Sequence, residues 1–310
     1  MKRFILIPAA IIAALSSCTP SADIPEERTS LTVSIAPAGT KATNISADNE
    51  VRVESLQILV FRDDELDAYG NAGSDLEITL SCTAGDRTVY ALVNGPDVSG
   101  SSTKTEFLAT LHSLDDNALN AFIMTGSVRV TLPAANTVHI EVNRVVARID
   151  LQDLQRQFTA PALKTLGFNV TRIYLDNVVG GNDIGMSLPC DSFGNEGQYN
   201  GDWATFTCDA VGAEIADGST LGQAHVFYAY PNDNSVKETR LVVEAVQNSK
   251  TYYYHVVLPA LESNHRYVIP KLIVTRLGSE DPDTPVQITD QPFEIEIMPW
   301  TVVPVDSAVI

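Results

Sequence analysis

Little in this chain is built for catalysis or metal binding. Of its 310 residues only five are histidine and four are cysteine. The histidines (His112, His139, His225, His255, His265) form no i, i+4 pair of metal ligands. No CxxC occurs, so nothing in the sequence suggests a structural zinc site. GxGxxG, P-loop and GxSxG motifs are missing, and with them the phosphate cradles and nucleophile elbows of common enzyme classes. Positive charge is scarce too: 20 Lys and Arg stand against 39 Asp and Glu. That deficit excludes a nucleic-acid surface, which needs clustered cations, and argues against lying flat on an anionic bilayer. Beyond the first eighteen residues no apolar run is long enough to span a membrane. The expectation is a protein without catalysis, cofactor or metal.

What is present begins at the N-terminus. Lys2 and Arg3 precede an apolar run from Phe4 to Leu15, which ends at Leu15-Ser16-Ser17-Cys18. A short basic start, a short apolar stretch and small residues at its end describe a secretory signal. Leu-Ser-Ser-Cys resembles a bacterial lipobox, so residues 1–18 are expected to be a lipoprotein signal peptide and Cys18 a diacylated anchor. The plainer reading is an ordinary signal with a chance cysteine. Losing Lys2 and Arg3 with the signal takes the net charge from −19 to −21, which suits a soluble, self-repelling extracellular surface. Three further cysteines cannot complete a disulfide framework. Cys190 and Cys208 could pair across a loop. Cys82 ends an alternating stretch, Leu76-Glu77-Ile78-Thr79-Leu80-Ser81-Cys82, and is expected to be a small buried hydrophobe.

The remaining pattern is β almost throughout. Leu31, Val33 and Ile35 alternate with polar or small residues as in a half-buried strand. Further strands are predicted over 51–61, 76–82, 88–93, 127–132 and 138–151, separated by Gly, Asp, Asn and Pro turns. Only Thr105–Phe122 reads as helical, through Phe107, Leu108, Leu111, Leu114, Leu119 and Phe122, with a break expected at Asp115-Asp116-Asn117. The second half repeats the theme loosely over 168–178, 225–230, 267–274 and 293–298, with a hairpin from 241–246 to 252–258 across Gln247–Lys250. Two tandem β-sandwich domains follow, with a boundary near Thr137–Asn143. In numbers, residues 42–140 and 141–310 are the two domains, the first carrying a short helical insertion.

Several features that look chemical have plainer readings. Ser101-Ser102-Thr103-Lys104 fits SxxK but lacks the companion SDN and KTG elements. Asp281 and Asp283 lack EF-hand spacing and read as a solvated turn within the acidic loop 278–285. Tyr252-Tyr253-Tyr254 alternates along a strand, so Tyr253 should face away from its two neighbours.

The chain ends carry the sharper idea. After the first strand comes Pro37-Ala38-Gly39-Thr40-Lys41-Ala42-Thr43, where a lone Lys among small residues offers a trypsin-like protease a cut between Lys41 and Ala42. Arg28, read as lying upstream of the strand, is a second site. Cutting after Lys41 would release residues 19–41, lipid and first strand together, and open a groove that invites a strand from another molecule. At the far end, beyond Pro299-Trp300, the tail Thr301–Ile310 offers Val302, Val303, Val305, Val309 and Ile310 as groove fillers. A plain last strand with a frayed end fits the same pattern.

Taken together, Val53–Phe61, Cys82–Asn94, Phe122–Gly126 and Val145–Leu151, with Asn264–Tyr267 and the stretch from Asp281 to Trp300, resemble the FimA-type fimbrillins of Bacteroides-like bacteria. The resemblance covers most of the mature chain and is densest over 51–151. It implies an all-β fold of two transthyretin-like sandwiches, export as an outer-membrane lipoprotein (palmitate on Cys18), surface proteolysis after the first strand, and polymerisation with other fimbrial subunits by strand exchange. The result would be an adhesive fimbrium on the cell surface. Lys41 departs from the Arg that the family often has at the cut, which leaves the trypsin-like protease unidentified. The alternative is a permanently anchored surface lipoprotein, either a fimbrial anchor or an adhesin for glycan or host protein.

Overall fold

The structure, a computed structural model, describes residues 27–37, 50–190, 193–194, 206–284 and 295–299. In the first half the strands are β1 (Arg28–Pro37), β2 (Leu56–Arg62), β3 (Glu65–Gly73), β4 (Glu77–Thr83), β5 (Gly85–Val93), β6 (Leu111–Ser113), β7 (Met124–Leu132) and β8 (Thr137–Arg144). Seven of them hydrogen-bond in the order β3-β2-β5-β7-β8-β1-β4. β7 and β8 share only the pairs Met124↔Arg144 and Thr125↔Asn143, so the sheet folds over at that joint. Its two arms then pack face to face. A Cβ on Gly70 of β3 would stand 2.5 Å from Leu80 Cδ2 of β4. Between the arms, Leu31, Val33 and Ile35 meet Leu56, Ile58, Val60, Val89, Ala91 and Val93 in one core. Strand alternation places these residues inside and their polar neighbours outside.

The second half holds β9 (Ala147–Leu151), β10 (Leu154–Arg156), β11 (Asn169–Asp176), β12 (Val178–Val179), β13 (Gly181–Asp183), β14 (Phe193–Gly194), β15 (Cys208–Glu214), β16 (His225–Ala229), β17 (Arg240–Gln247), β18 (Lys250–Val257), β19 (His265–Ile269), β20 (Leu272–Val274) and β21 (Glu296–Pro299). Two four-stranded sheets, β15-β11-β17-β18 and β16-β9-β19-β21, face a second core that includes Ile149, Ile173, Phe227, Val243, Tyr254 and Tyr267. That core continues beneath the first half, where Leu59 and Phe61 of β2 meet Phe107.

The hairpin from β17 to β18 turns on Asn248 and Ser249, both left-handed (φ 50° and 60°), the backbone of a two-residue turn that matches strand twist. The segment expected as a helix differs most from expectation. α1 spans only Lys104–Leu108, a 3-10 turn follows at Leu114–Asp116, and between them β6 pairs with β13. Ser113 is the reason: its N–H and hydroxyl both donate to Asp116 Oδ2, which restarts the backbone and overrides the apolar period. The single strand expected over 138–151 is two, β8 and β9, divided at the buried Val145 and Val146.

Candidate functional site: the seat of β1

β1 is an interior strand. Its outer side pairs antiparallel with β4, from Arg28↔Thr83 to Ser34↔Glu77. Its other side pairs parallel with β8, from Thr32↔Thr137 to Pro37↔Val142. Leu31 and Val33 are fully buried and Ile35 nearly so, each contributing about 1.5–3 kcal/mol by leaving water. On the solvent face Thr32 Oγ1 lies 3.0 Å from Thr79 Oγ1, and Ser34 Oγ lies 3.1 Å from His139 Nδ1. Taking β1 out would therefore leave a slot with two hydrogen-bonding rims and an apolar floor.

The N-terminal end of this slot is polar. Arg28 donates from Nε to Ser81 Oγ (3.1 Å) and from Nη2 to the Ser81 carbonyl (2.5 Å), and approaches Asp67 Oδ1 at 4.0 Å. Asp67 Oδ2 accepts from Arg87 Nε (2.7 Å) and from the Thr83 N–H and hydroxyl. Burial alone would raise this carboxyl, but the bonds from Arg87 and Thr83 outweigh it and hold Asp67 below the usual carboxylate range. Arg28 is thus the first residue of β1 rather than a residue upstream of it. Its backbone is locked in a ladder, which is a poor substrate for a protease. Cys82, opposite Thr29, is completely buried, and burial together with Asp67 pushes its thiol up to about 11.

The C-terminal end of β1 is fixed as well. Pro37 sits opposite Val142 of β8. The chain next described begins at Glu50, whose carbonyl accepts from Arg144 Nε (2.8 Å) at the end of the same strand. Glu50 is buried. Its carboxylate receives Arg148 Nη1 at 2.6 Å and Tyr228 O–H at 2.7 Å, while Arg148 and Arg266 share Asp150. Burial lowers the Arg144 guanidinium to about 10 and raises the Tyr228 phenol well above its ordinary value. Sequence reading missed this latch, because its partners lie 94 to 178 residues apart.

Cys18, Lys41, Ala42, Val302, Val303, Val305, Val309 and Ile310 lie outside the described residues. No disulfide joins Cys190 to Cys208. The SxxK segment is a helix start. Thr103 Oγ1 accepts the Glu106 N–H, and Glu106 reaches back to the N–H groups of Ser102 and Thr103 in a capping box. Tyr252 and Tyr254 line the core while Tyr253 is half-exposed, as alternation predicts. Asp281 binds only its own turn, at the Asp283 N–H and the Thr284 hydroxyl. His225, His255 and His265 lie in strands, and His112 lies in β6. Among the described residues no cluster of His, Cys, Asp or Glu could hold a metal ion, and no helix is long and apolar enough to cross a membrane.

The family model for the major fimbrial subunit protein FimA matches residues 29–185, half of the chain. The chain belongs to the FimA major fimbrial subunit family. That is a family of structural subunits rather than of enzymes, and it places this FimA-family chain among components of cell-surface fimbriae. The major fimbrium subunit FimC of Porphyromonas gingivalis is 26% identical over 285 residues, 81% of this chain; the chain spans 58% of the length of that relative. The fold is shared with a fimbrilin (FimA) of P. gingivalis (TM-score 0.63, 15% identity, 88% of this chain and 98% of that one). A candidate cell adhesion protein of Bacteroides eggerthii is similar too (TM-score 0.68, 18% identity, 91% and 99%). So is the tip fimbrial protein Mfa3 of P. gingivalis with a C-terminal truncation (TM-score 0.54, 15% identity, 88% and 100%).

Proposed function

We propose that this chain is a structural subunit of adhesive surface fimbriae, built as two tandem transthyretin-like β-sandwiches, that polymerises by strand exchange after a trypsin-like protease cuts between Lys41 and Ala42. The observation that carries the reading is the seat of β1. The strand fills the middle of its sheet arm, yet it connects onward only through residues 38–49, whose two ends are held at the same end of β8 by Pro37 and Glu50. Between those two held ends Lys41 is the one Lys, and a trypsin-like cut there would separate β1 from the rest of the chain. Cleavage detaches β1 covalently, and Glu50 keeps the new N-terminus fastened to the body.

Alternation also selects among the tail residues. Were the tail to bind as an extended strand, Val303, Val305 and Val309 would share one face. Val302 and Ile310 fall on the other, with Asp306 between them, a carboxylate that an apolar slot would reject. The first three would then form the donor face. Pro304 falls on the opposite face and forgoes one ladder bond. In the precursor the lipid on Cys18 would hold the chain at the outer membrane with the slot filled.

The test is to incubate purified precursor with a trypsin-like protease. The expected product begins at Ala42 and runs as ladders on non-boiled gels, while Val305→Asp removes the ladder and Val302→Asp keeps it. Clean cleavage that leaves only monomer overturns the reading. Recovery of the cell-surface form with lipidated Cys18 intact would favour the permanently anchored lipoprotein instead.

A further inference from the structure

Two sheet edges of this chain, β3 and β15, are interrupted by bulges. β3 pairs with β2 through two register shifts, at Leu56/Gln57 and Val60/Phe61. β15 pairs with β11 through another, between Val170 and Arg172. Bulges of this kind twist an edge away from new partners. β18 has none: its register with β17 runs unbroken from Arg240↔Val257 to Gln247↔Lys250. It is a long regular edge whose outward backbone groups are a template for another strand.

That edge is covered by the segment from Leu277 to Thr284. The Tyr253 N–H donates to the Ser279 carbonyl (2.8 Å), and the Ser279 N–H donates back to the Tyr253 carbonyl (2.9 Å). His255 Nε2 lies 2.6 Å from the Pro282 carbonyl, Arg240 Nη1 donates to the Asp283 carbonyl (3.3 Å), and Lys250 Nζ meets Glu280 at 3.0 Å. Gly278 permits the close approach, since a Cβ there would stand 2.4 Å from the Tyr253 carbonyl oxygen. The cover is poorly suited to extend the sheet: Pro282 lacks an N–H, and Glu280, Asp281 and Asp283 are exposed acidic residues on an already acidic protein.

We propose that Leu277–Thr284 is an edge guard, which keeps β18 from pairing with β18 of a second copy. A two-fold pairing of β18 with itself would preserve the antiparallel order of the sheet, so a second copy is the partner that an uncovered edge would take. Any consequence for the direction of fibre growth rests on the proposed function. The guard itself does not, because it acts in uncleaved protein with β1 seated.

The test uses that uncleaved precursor. Gly278→Val forces the loop off the edge, and Ser279→Pro removes the N–H that bonds the Tyr253 carbonyl. Both should speed hydrogen exchange at the Tyr253 amide by about tenfold or more and convert monomer to dimer in sedimentation. Adding Thr251→Pro should restore the monomer, since the Thr251 N–H faces away from β17 and its loss leaves that ladder whole. Variants that gain exchange at Tyr253 yet stay monomeric at every concentration overturn the guard. So does a dimer that Thr251→Pro leaves unchanged. If Gly278→Val misfolds, by far-UV dichroism, Ser279→Pro decides the question by the same two readouts. None of these outcomes bears on whether cleavage after Lys41 yields polymer.

Discussion

β1 and β18 are treated in opposite ways by the rest of the chain. β1 lies inside its sheet with a partner on each side, and the sequence that follows it carries Lys41. β18 lies at an edge, joined to β17 by a two-residue turn and covered by a short acidic loop. Under the proposed strand exchange, the difference would separate two requirements. A vacated interior position offers two rims and a floor, enough to hold a foreign strand firmly. An edge offers one rim and invites indiscriminate pairing. A subunit that polymerised as proposed would need the first and would have to suppress the second.

The comparison breaks most severely if β1 is not a core strand. Val33→Asp places an unpaired charge in the apolar floor and should cost about 3–5 kcal/mol in urea unfolding, whereas Ser30→Asp on the solvent face should cost under about 0.5. Cys82 sharpens the comparison next. Its thiol should stay unreactive in the precursor and label at least about a hundredfold faster once β1 has left, because an opening cost of roughly 3 kcal/mol disappears. In Gly278→Val, which disturbs only the β18 side, Cys82 should remain unreactive. Asn248→Val, with a β-branched residue forced into a left-handed turn, should cost about 1–2 kcal/mol and leave β1 untouched.

Acid gives a smaller effect with a definite sign. Burial lowers the pKa of His255 and of His112, so the folded chain prefers both neutral. The unfolded chain takes up protons first as pH falls below about 6.5, and stability then drops by at most about 1.4 kcal/mol per pH unit for each group. It levels off below the folded values. His255→Gln should flatten part of that slope without altering Cys82 labelling. The smallest expected effect is Thr32→Ala, about 0.5 kcal/mol or less for an exposed hydroxyl pair.

β1 was legible from the sequence because alternation at Leu31, Val33 and Ile35 is a local signal. The β17–β18 hairpin was legible because its turn residues suit a left-handed backbone. β3 escaped because Glu65–Gly73 carries Gly and Asn where a strand would show alternation, and its pairing with β2 supplies what its side chains do not. The helix was over-extended because the period of Leu111 and Leu114 is indifferent to Ser113 capping a new turn. In the candidate site the apolar face could be read but its fastening could not. Glu50 meets Arg148 and Tyr228 across 98 and 178 residues, distances at which one sequence carries no pairing information. The acidic character of residues 278–284 was recognisable. Their seat on β18 depends on two backbone hydrogen bonds, which no side-chain pattern announces.

The short joint at Val145 and Val146 has a mechanical consequence. β8 forms one rim of the β1 slot and passes through these two buried valines directly into β9. β9 is bonded in parallel to β19, which is bonded to β21, the strand from which the tail departs. In a fibre linked from slot to tail, tension would cross each subunit along three adjoining ladders. They would be loaded lengthwise, so that many bonds must yield together and none is unzipped alone.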